Sequence, residues 1–155
     1  MNRARKVMVL AAGLATLAST GPAWATLGEN VDSVQADAVH LKTAATTRTT
    51  SRPALFTVQR LTLSNSTVVD EYVSASGLVF AVSWSGPRPP DLERLFGSYY
   101  AEYQAAATQP HLRRSQAQID TGRMTYHAGG HMRSLWGSAQ VPSLLPAGVI
   151  EGDLQ

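Results

Sequence analysis

The segment from residue 54 to residue 84 constrains the fold of this 155-residue chain most. β-Branched and aromatic residues fill it, and turn residues interrupt it twice, at Ser64-Asn65-Ser66 and at Ala75-Ser76-Gly77. This pattern predicts three strands, at about residues 55–63, 67–74 and 78–84. Strands so close in sequence are expected to pair as an antiparallel meander.

The third predicted strand is apolar at almost every position. Alternation places Leu78, Phe80, Val82 and Trp84 on one face, with Val79, Ala81 and Ser83 on the other. The first set is the expected core face. A strand that is apolar on both sides is expected in the middle of its sheet.

A helix is predicted after the proline-rich segment SGPRPPD at residues 85–91. Proline removes the backbone donors that a sheet needs, and Asp91 is a good helix N-cap. The helix is expected to run to about residue 106, with an apolar stripe made of Leu92, Leu95, Phe96, Tyr99 and Tyr103. This stripe would cover the apolar face of the sheet.

The last third of the chain predicts further strands at about residues 116–120, 123–128 and 131–141, with Gly129-Gly130 as a turn. The fold class is therefore α+β: an antiparallel sheet of about five strands with one amphipathic helix packed on a face. We assign residues 54–150 to this single domain and expect residues 151–155 to form a loose tail.

The N-terminal region has the features of an export signal. Arg3, Arg5 and Lys6 precede an apolar stretch that is too short to span a bilayer, and Ala23-Trp24-Ala25 fits a signal peptidase site, so cleavage is predicted after Ala25. Residues 26–53 are predicted to hold a helix at about 31–44 and a flexible, Thr-rich linker at 46–53. The expected location is the periplasm or the cell exterior, with no membrane span after signal removal.

Charge and cysteine content exclude several classes of function. Residues 1–25 contain three of the 13 basic residues and none of the 11 acidic ones, which leaves 10 basic against 11 acidic residues and a formal charge of −1. A chain with this balance has no basic face for nucleic acid. It also has no cysteine, which excludes disulfides, thiol catalysis and Cys-ligated zinc, so the core alone must stabilise the fold.

The segment HAGGHMR, residues 127–133, is the most evident candidate for a metal site. A three-residue turn would pair His127 with His131 on one face, close enough to share a metal ion. A two-residue Gly129-Gly130 turn would pair His127 with Met132 and place the imidazoles on opposite faces, and glycine pairs favour that turn. Asp120 is the nearest candidate for a third ligand. The sequence therefore favours a structural hairpin over a metal site.

Other catalytic motifs are absent from the sequence. It contains no G-x-S-x-G elbow, no S-x-x-K pair and no glycine-rich nucleotide loop, although a Ser-His-Asp set assembled in space stays open. No cofactor is predicted. Asp70 and Glu71 are adjacent on a strand, so they point to opposite faces and do not form a paired-carboxylate site.

Two blocks of sequence carry a family resemblance, STVVDEYVSASGLVFAVSWSGPRPPDL at 66–92 and GGHMRSLWGSAQVPSLLPAGV at 129–149. With the order of signal peptide, short helix and strands, they resemble the exported bacterial proteins grouped as domain of unknown function 2844. The resemblance implies an exported protein, and it implies no particular activity. A glycine would be expected in the family pattern where Asn65-Ser66 stands.

Binding or assembly is the preferred function from these observations, with enzymatic activity less favoured. We expect an unknown protein or cell-envelope partner to contact the 85–91 loop and the 127–133 turn, through Trp84, Arg88, Arg133 and Trp136. One alternative is a metal-assisted hydrolase, or metal binder, that uses His127 and His131. Another is a small-ligand carrier with an apolar pocket between helix and sheet.

Overall fold

The structure, a computed structural model, describes residues 27–30, 43–50, 55–108, 116–150, 152 and 154. In this part of the chain, seven strands form one antiparallel sheet in the order β1-β2-β3-β4-β7-β6-β5. The strands are β1 (Thr43–Thr50), β2 (Phe56–Leu63), β3 (Val68–Ser74), β4 (Val79–Gly86), β5 (Gln116–Asp120), β6 (Thr125–His131) and β7 (Ser134–Gln140). The α+β class and the antiparallel meander are confirmed, with more strands than the predicted five or so.

A helical segment covers one face of the sheet. It consists of α1 (Leu92–Phe96), a 3-10 turn (Gly97–Tyr99) and α2 (Tyr100–Ala107). The predicted cap is present, because a carboxylate oxygen of Asp91 accepts a hydrogen bond from the backbone N–H of Arg94 at 3.2 Å. The segment leads from β4 across the sheet to its far edge at β5, and this crossing places the apolar stripe over the central strands.

The main core lies between this helical segment and the sheet. Leu95 and Phe96 have no exposed surface, and they pack among side chains from the strands. The strand residues in this helix-side core include Leu61, Val69, Val82, Trp84, Ile119, Tyr126 and Ala139. Burial of apolar surface at about 25 cal/mol per Å² is the main stabilising contribution to such a fold.

A β-bulge changes the predicted faces of β4. Tyr72 pairs with Ala81 but Val73 pairs with Val79, so the ladder shifts by one residue between them. The extra residue reverses the alternation at the start of β4. Val79 therefore joins the helix-side core, whereas Phe80, predicted on the same face as Val82 and Trp84, packs on the opposite face of the sheet.

The opposite face, called the helix-free face because no α-helix of the described residues covers it, has a smaller core of its own, which we call the second cluster. It consists of Phe56, Tyr72, Phe80, Ala81, Val149 and Leu154. The Phe80 ring lies 5.8 Å from Phe56 in an edge-to-face arrangement. Leu154 is 5% exposed, so the C-terminal end differs from the predicted loose tail at this residue, because its apolar side chain is buried on the sheet.

The Thr-rich segment also differs from its prediction. Residues 43–50 form edge strand β1, in which Thr50 pairs with Thr57 and Thr46 pairs with Leu61 of β2, so they are not a flexible linker. Threonine is β-branched and favours strands, and the outer edge of β2 offers backbone groups to pair with. Most of the predicted N-terminal helix, residues 31–42, lies outside the described residues, as does the predicted signal peptide, and Thr43 and Ala44 belong to β1.

An aromatic cluster joins the helical segment to β6. The Tyr126 ring lies 5.0 Å from Tyr103 and 5.5 Å from Phe96, in edge-to-face contacts. Burial raises the pKa of Tyr126 strongly and also raises the pKa of Tyr103. Both phenols therefore favour the neutral form in the folded protein.

This cluster predicts a loss of stability at alkaline pH. Tyrosines in the unfolded chain ionise near pH 10, below the raised pKa values of the folded state. The contribution of these two tyrosines to the free energy of unfolding is therefore complete below about pH 10 and is lost as the pH rises further. Urea unfolding at about pH 8 and about pH 11 should show this decline. The Tyr126→Phe variant should lose less stability between the two pH values than the parent, and an equal loss would contradict the assignment.

Candidate functional site

A row of polar side chains crosses the helix-free face of the sheet. The strand register places Arg60 opposite Asp70, Asp70 opposite Ser83, Ser83 opposite Ser138, Ser138 opposite His127 and His127 opposite Gln118. Directly opposite residues in antiparallel strands project to the same side. These six residues, here called the polar row, therefore share one face and come from six consecutive strands of the sheet.

An ion pair closes one end of the polar row. Arg60 donates from Nε to Oδ1 of Asp70 and from Nη2 to Oδ2, both at 2.7 Å. The Asp70 side chain is 11% exposed and that of Arg60 is 58% exposed. Hydrogen bonding to Asp70 and the charge of its carboxylate raise the pKa of Arg60. This bidentate pairing engages both carboxylate oxygens and neutralises the two charges locally.

A cavity of 630 Å³ lies over the polar row, within the size range of small-ligand sites. The first five members of the row line it, together with Ser85, Thr125, Trp136, Gln140 and Leu154. Trp136 is 45% exposed, an unusual exposure for so large an apolar side chain. Next to the row, the Tyr72 hydroxyl lies 3.3 Å from Oγ of Ser83. The cavity thus combines neutral polar groups and the Arg60–Asp70 pair with apolar residues, of which Trp136 is the most exposed.

Two residues that line the cavity, Trp84 and Gln140, each have a buried side-chain polar atom without a partner among the described residues. Oε1 of Gln140 is buried and accepts no hydrogen bond from any residue that the structure describes. A buried acceptor left unsatisfied costs about 1–3 kcal/mol, so such atoms usually have a water molecule or ligand as partner. Gln140 is thus a cavity-lining residue whose buried side-chain oxygen is not satisfied by the described part of the protein.

The HAGGHMR segment differs from both predicted registers. Gly129 and Gly130 are residues of β6, and the turn to β7 lies at Met132 and Arg133. His127 pairs with Ser138 and His131 with Ser134, so neither predicted partner of His127 is observed. Four residues apart on one extended strand, the histidines share a face but are separated by about 13 Å. A single metal ion cannot bridge that distance.

No metal-binding group of three or more His, Cys, Asp or Glu residues occurs among the described residues. The polar row also separates the members of a possible triad. Ser138 neighbours His127, but Asp70 lies three strands from His127, about 14 Å away. Both oxygens of Asp70 are moreover bound by Arg60, so this carboxylate does not orient the imidazole.

The four predicted partner-binding residues lie in three different environments. Trp84 is 6% exposed, packs in the helix-side core opposite Gly137, and also borders the cavity. Trp136 immediately precedes Gly137 on β7, so its side chain projects to the other face of the sheet, into the cavity. Arg88 and Arg133 are exposed, in loops at one end of the sheet, where Gly86 pairs with Leu135.

Four residues at this site belong to no sequence motif: Ser83, Ser138, Gln118 and Gln140. Their signal was the polar alternate positions of otherwise apolar strands, as in β5, where Gln116, Gln118 and Asp120 alternate with Ala117 and Ile119. That signal identifies a face. The pairing of β4 with β7, which are distant in sequence, decides which polar residues meet.

The fold and the site define an α+β protein with a helix-covered core on one face of an antiparallel sheet and a polar, indole-lined cavity on the other. The chain belongs to the family described as protein of unknown function (DUF2844), whose family model matches residues 23–154. No curated protein and no solved structure matches it. In the described residues, no helix is sufficiently long and apolar to span a membrane.

Proposed function

We propose that this protein is an exported, non-enzymatic binding domain whose small ligand occupies the cavity above the polar row. The observation that carries the proposal is a cavity of 630 Å³ lined by five members of the polar row and by Gln140. Partly buried hydroxyl and imidazole groups, from Ser83, Ser138, Thr125 and His127, line this cavity. A folded sheet holds these groups in place before any ligand arrives, which lowers the entropic cost of binding.

Binding is favoured over catalysis because the cavity contains polar groups without a completed catalytic arrangement. Ser138 and His127 are neighbours, but Asp70 is saturated by Arg60 and lies three strands from His127. A small-ligand carrier of the predicted kind would need an apolar pocket between the helical segment and the sheet. The observed cavity lies on the other face of the sheet. The ligand is therefore expected to be polar.

Two matched pairs of residues on one hairpin allow a direct test. His127 and Ser138 face each other in the cavity, whereas His131 and Ser134 face each other at the exposed end of the same two strands. A thermal-shift screen with small polar metabolites should identify a stabilising ligand. The double variant His127→Ala, Ser138→Ala should weaken its affinity at least about tenfold, equivalent to the loss of about 1.4 kcal/mol.

The control is the double variant His131→Ala, Ser134→Ala, which should bind like the parent protein. Equal weakening in both double variants would show that the effect is not specific to the cavity. The absence of any ligand whose binding depends on His127 and Ser138 would contradict the proposed function.

Export is supported by the basic and apolar residues before Ala25 and by the small residues of Ala23-Trp24-Ala25. Mass spectrometry of protein from the periplasm or culture medium should find a chain that begins at Thr26. An intact N-terminus on cell-associated protein would contradict this part of the proposal.

A second candidate function is the binding of a protein or cell-envelope partner at one end of the sheet. Met132 is 91% exposed between His131 and Arg133, and exposed Arg88 lies at the same end. Exposed methionine and arginine are frequent in interfaces. The double variant Arg88→Ala, Arg133→Ala should lose at least about tenfold in affinity for a partner recovered from periplasmic extract, with unchanged binding in the cavity. Unchanged recovery of every partner would contradict this surface.

A further inference from the structure

We propose that the ligand of this cavity is a neutral carbohydrate, bound with one sugar ring against Trp136 and its hydroxyl groups on the polar row. This inference rests on the proposed binding function and specifies its ligand class. Three properties of the lining lead to it: balanced charge, dense neutral hydrogen-bonding groups and a single exposed indole.

The charge of the lining does not fit an anionic ligand. The cavity has no lysine among its residues, and its one arginine, Arg60, is engaged by Asp70 through two hydrogen bonds. The exposed arginines Arg88 and Arg133 do not line it. Phosphate or carboxylate recognition usually depends on an available guanidinium or ammonium group. A ligand without net charge fits better.

The hydrogen-bonding groups suit a ligand with many hydroxyl groups. Ser83, Ser138 and Thr125 each present a hydroxyl that can both donate and accept, and Gln140 presents an unsatisfied buried oxygen. Neighbouring strands repeat about every 4.8 Å, so the row from Ser83 to His127 spans roughly 10 Å, a length that a disaccharide covers. An acyl chain would leave these groups without partners, at a cost for each buried one.

The indole of Trp136 supplies the apolar surface that a sugar ring requires. Its side chain is 45% exposed and lies on the same face as Ser85, its directly opposite residue on β4. A pyranose ring has an apolar C–H face and polar edges, so it can pack flat on an indole while its hydroxyls reach the adjacent groups. Val68, Val82, Trp84, Ala139 and Leu154 also line the cavity, but Trp136 is its most exposed large apolar group.

The test uses residues 26–155 and three neutral probes: cellobiose, maltotriose and chitotriose. Calorimetry should detect binding of at least one of them. Trp136 and the buried Trp84 are the tryptophans of this part of the chain, so the same titration should change the intrinsic fluorescence through Trp136. Trp136→Ala should reduce the affinity more than tenfold, whereas Trp136→Phe, which keeps an aromatic face, should reduce it less than about fivefold.

Two further arms distinguish the ligand class from the binding function. A phosphorylated sugar and a fatty acid are titrated against the parent protein and against the His127→Ala, Ser138→Ala variant. If one of these binds through His127 and Ser138 and the neutral saccharides do not, the carbohydrate assignment is overturned and the binding function stands. If nothing binds in the cavity, both fail. Equal saccharide affinity in Trp136→Ala and the parent would also overturn the assignment, because Trp136 is half-exposed and its replacement leaves the fold intact.

Discussion

The Gly130→Ala variant is expected to lose about 3–5 kcal/mol of unfolding free energy, from backbone strain and steric overlap together. Gly130 has φ of +120°, a conformation that side-chain-bearing residues rarely adopt. A Cβ there would overlap the backbone oxygen of Ser134 and would lie 2.8 Å from Cα of Leu135. Both contacts are with the backbone of β7, so no side-chain rotation can relieve them.

Gly122→Ala is the matched control for this variant. Gly122 also has a positive φ, +81°, but an added Cβ would have no other atom within 4 Å. Its replacement should therefore cost only the conformational penalty of about 1–2 kcal/mol. Urea unfolding of the two variants separates the cost of backbone strain, which both share, from the cost of steric overlap, which only Gly130→Ala has. Equal losses of unfolding free energy would show that the close approach of β6 and β7 does not contribute.

The Phe80→Ala variant is expected to lose about 3–5 kcal/mol, as is typical for a buried phenylalanine. Phe80 has no exposed surface and is the bulged residue of β4, which projects into the second cluster. Its ring contacts Phe56 at 5.8 Å and Tyr72 at 6.3 Å between ring centres. Removal of the ring would leave a void that the sheet backbone cannot close.

Phe80→Leu is the comparison for this prediction, because leucine keeps most of the apolar volume and should lose about half as much stability or less. If both variants unfold with the same dependence on denaturant concentration as the parent, the shifts of their unfolding midpoints give the two stability losses. A loss below about 1 kcal/mol for Phe80→Ala would mean that Phe80 is not packed as described. Since Tyr72 also contacts Ser83, the alanine variant should in addition weaken ligand binding in the cavity.

The strands of the meander and the capped helix could be predicted because their signals are local. Turn residues at 64–66 and 75–77, the alternation between them, and Asp91 before an apolar stripe each act within a few residues. The edge strand β1 was missed because threonine-rich sequence without large apolar residues is typical of linkers. Pairing with β2, a tertiary contact, makes it a strand.

The local sequence of HAGGHMR does not determine its strand register. The glycine pair did mark a position that requires glycine, but the requirement comes from close contact between Gly130 and β7, and the turn lies three residues later, at Met132 and Arg133. The moved turn puts both histidines on β6 and on one face, and it changes the strand partner of each. The metal hypothesis depended on that partner, so sequence alone could not decide it.

By itself, the sequence determined the α+β class, the strand and helix content of residues 55–107 and the absence of cysteine chemistry, since these follow from composition and short-range periodicity. The tertiary structure alone decided the site. The meander brings Arg60, Asp70 and Ser83 together, but Ser138 and His127 join them only because β4 pairs with β7, which is distant in sequence. The physical reason is that backbone hydrogen bonding between distant strands fixes which side chains stand opposite each other, and no local pattern contains that information.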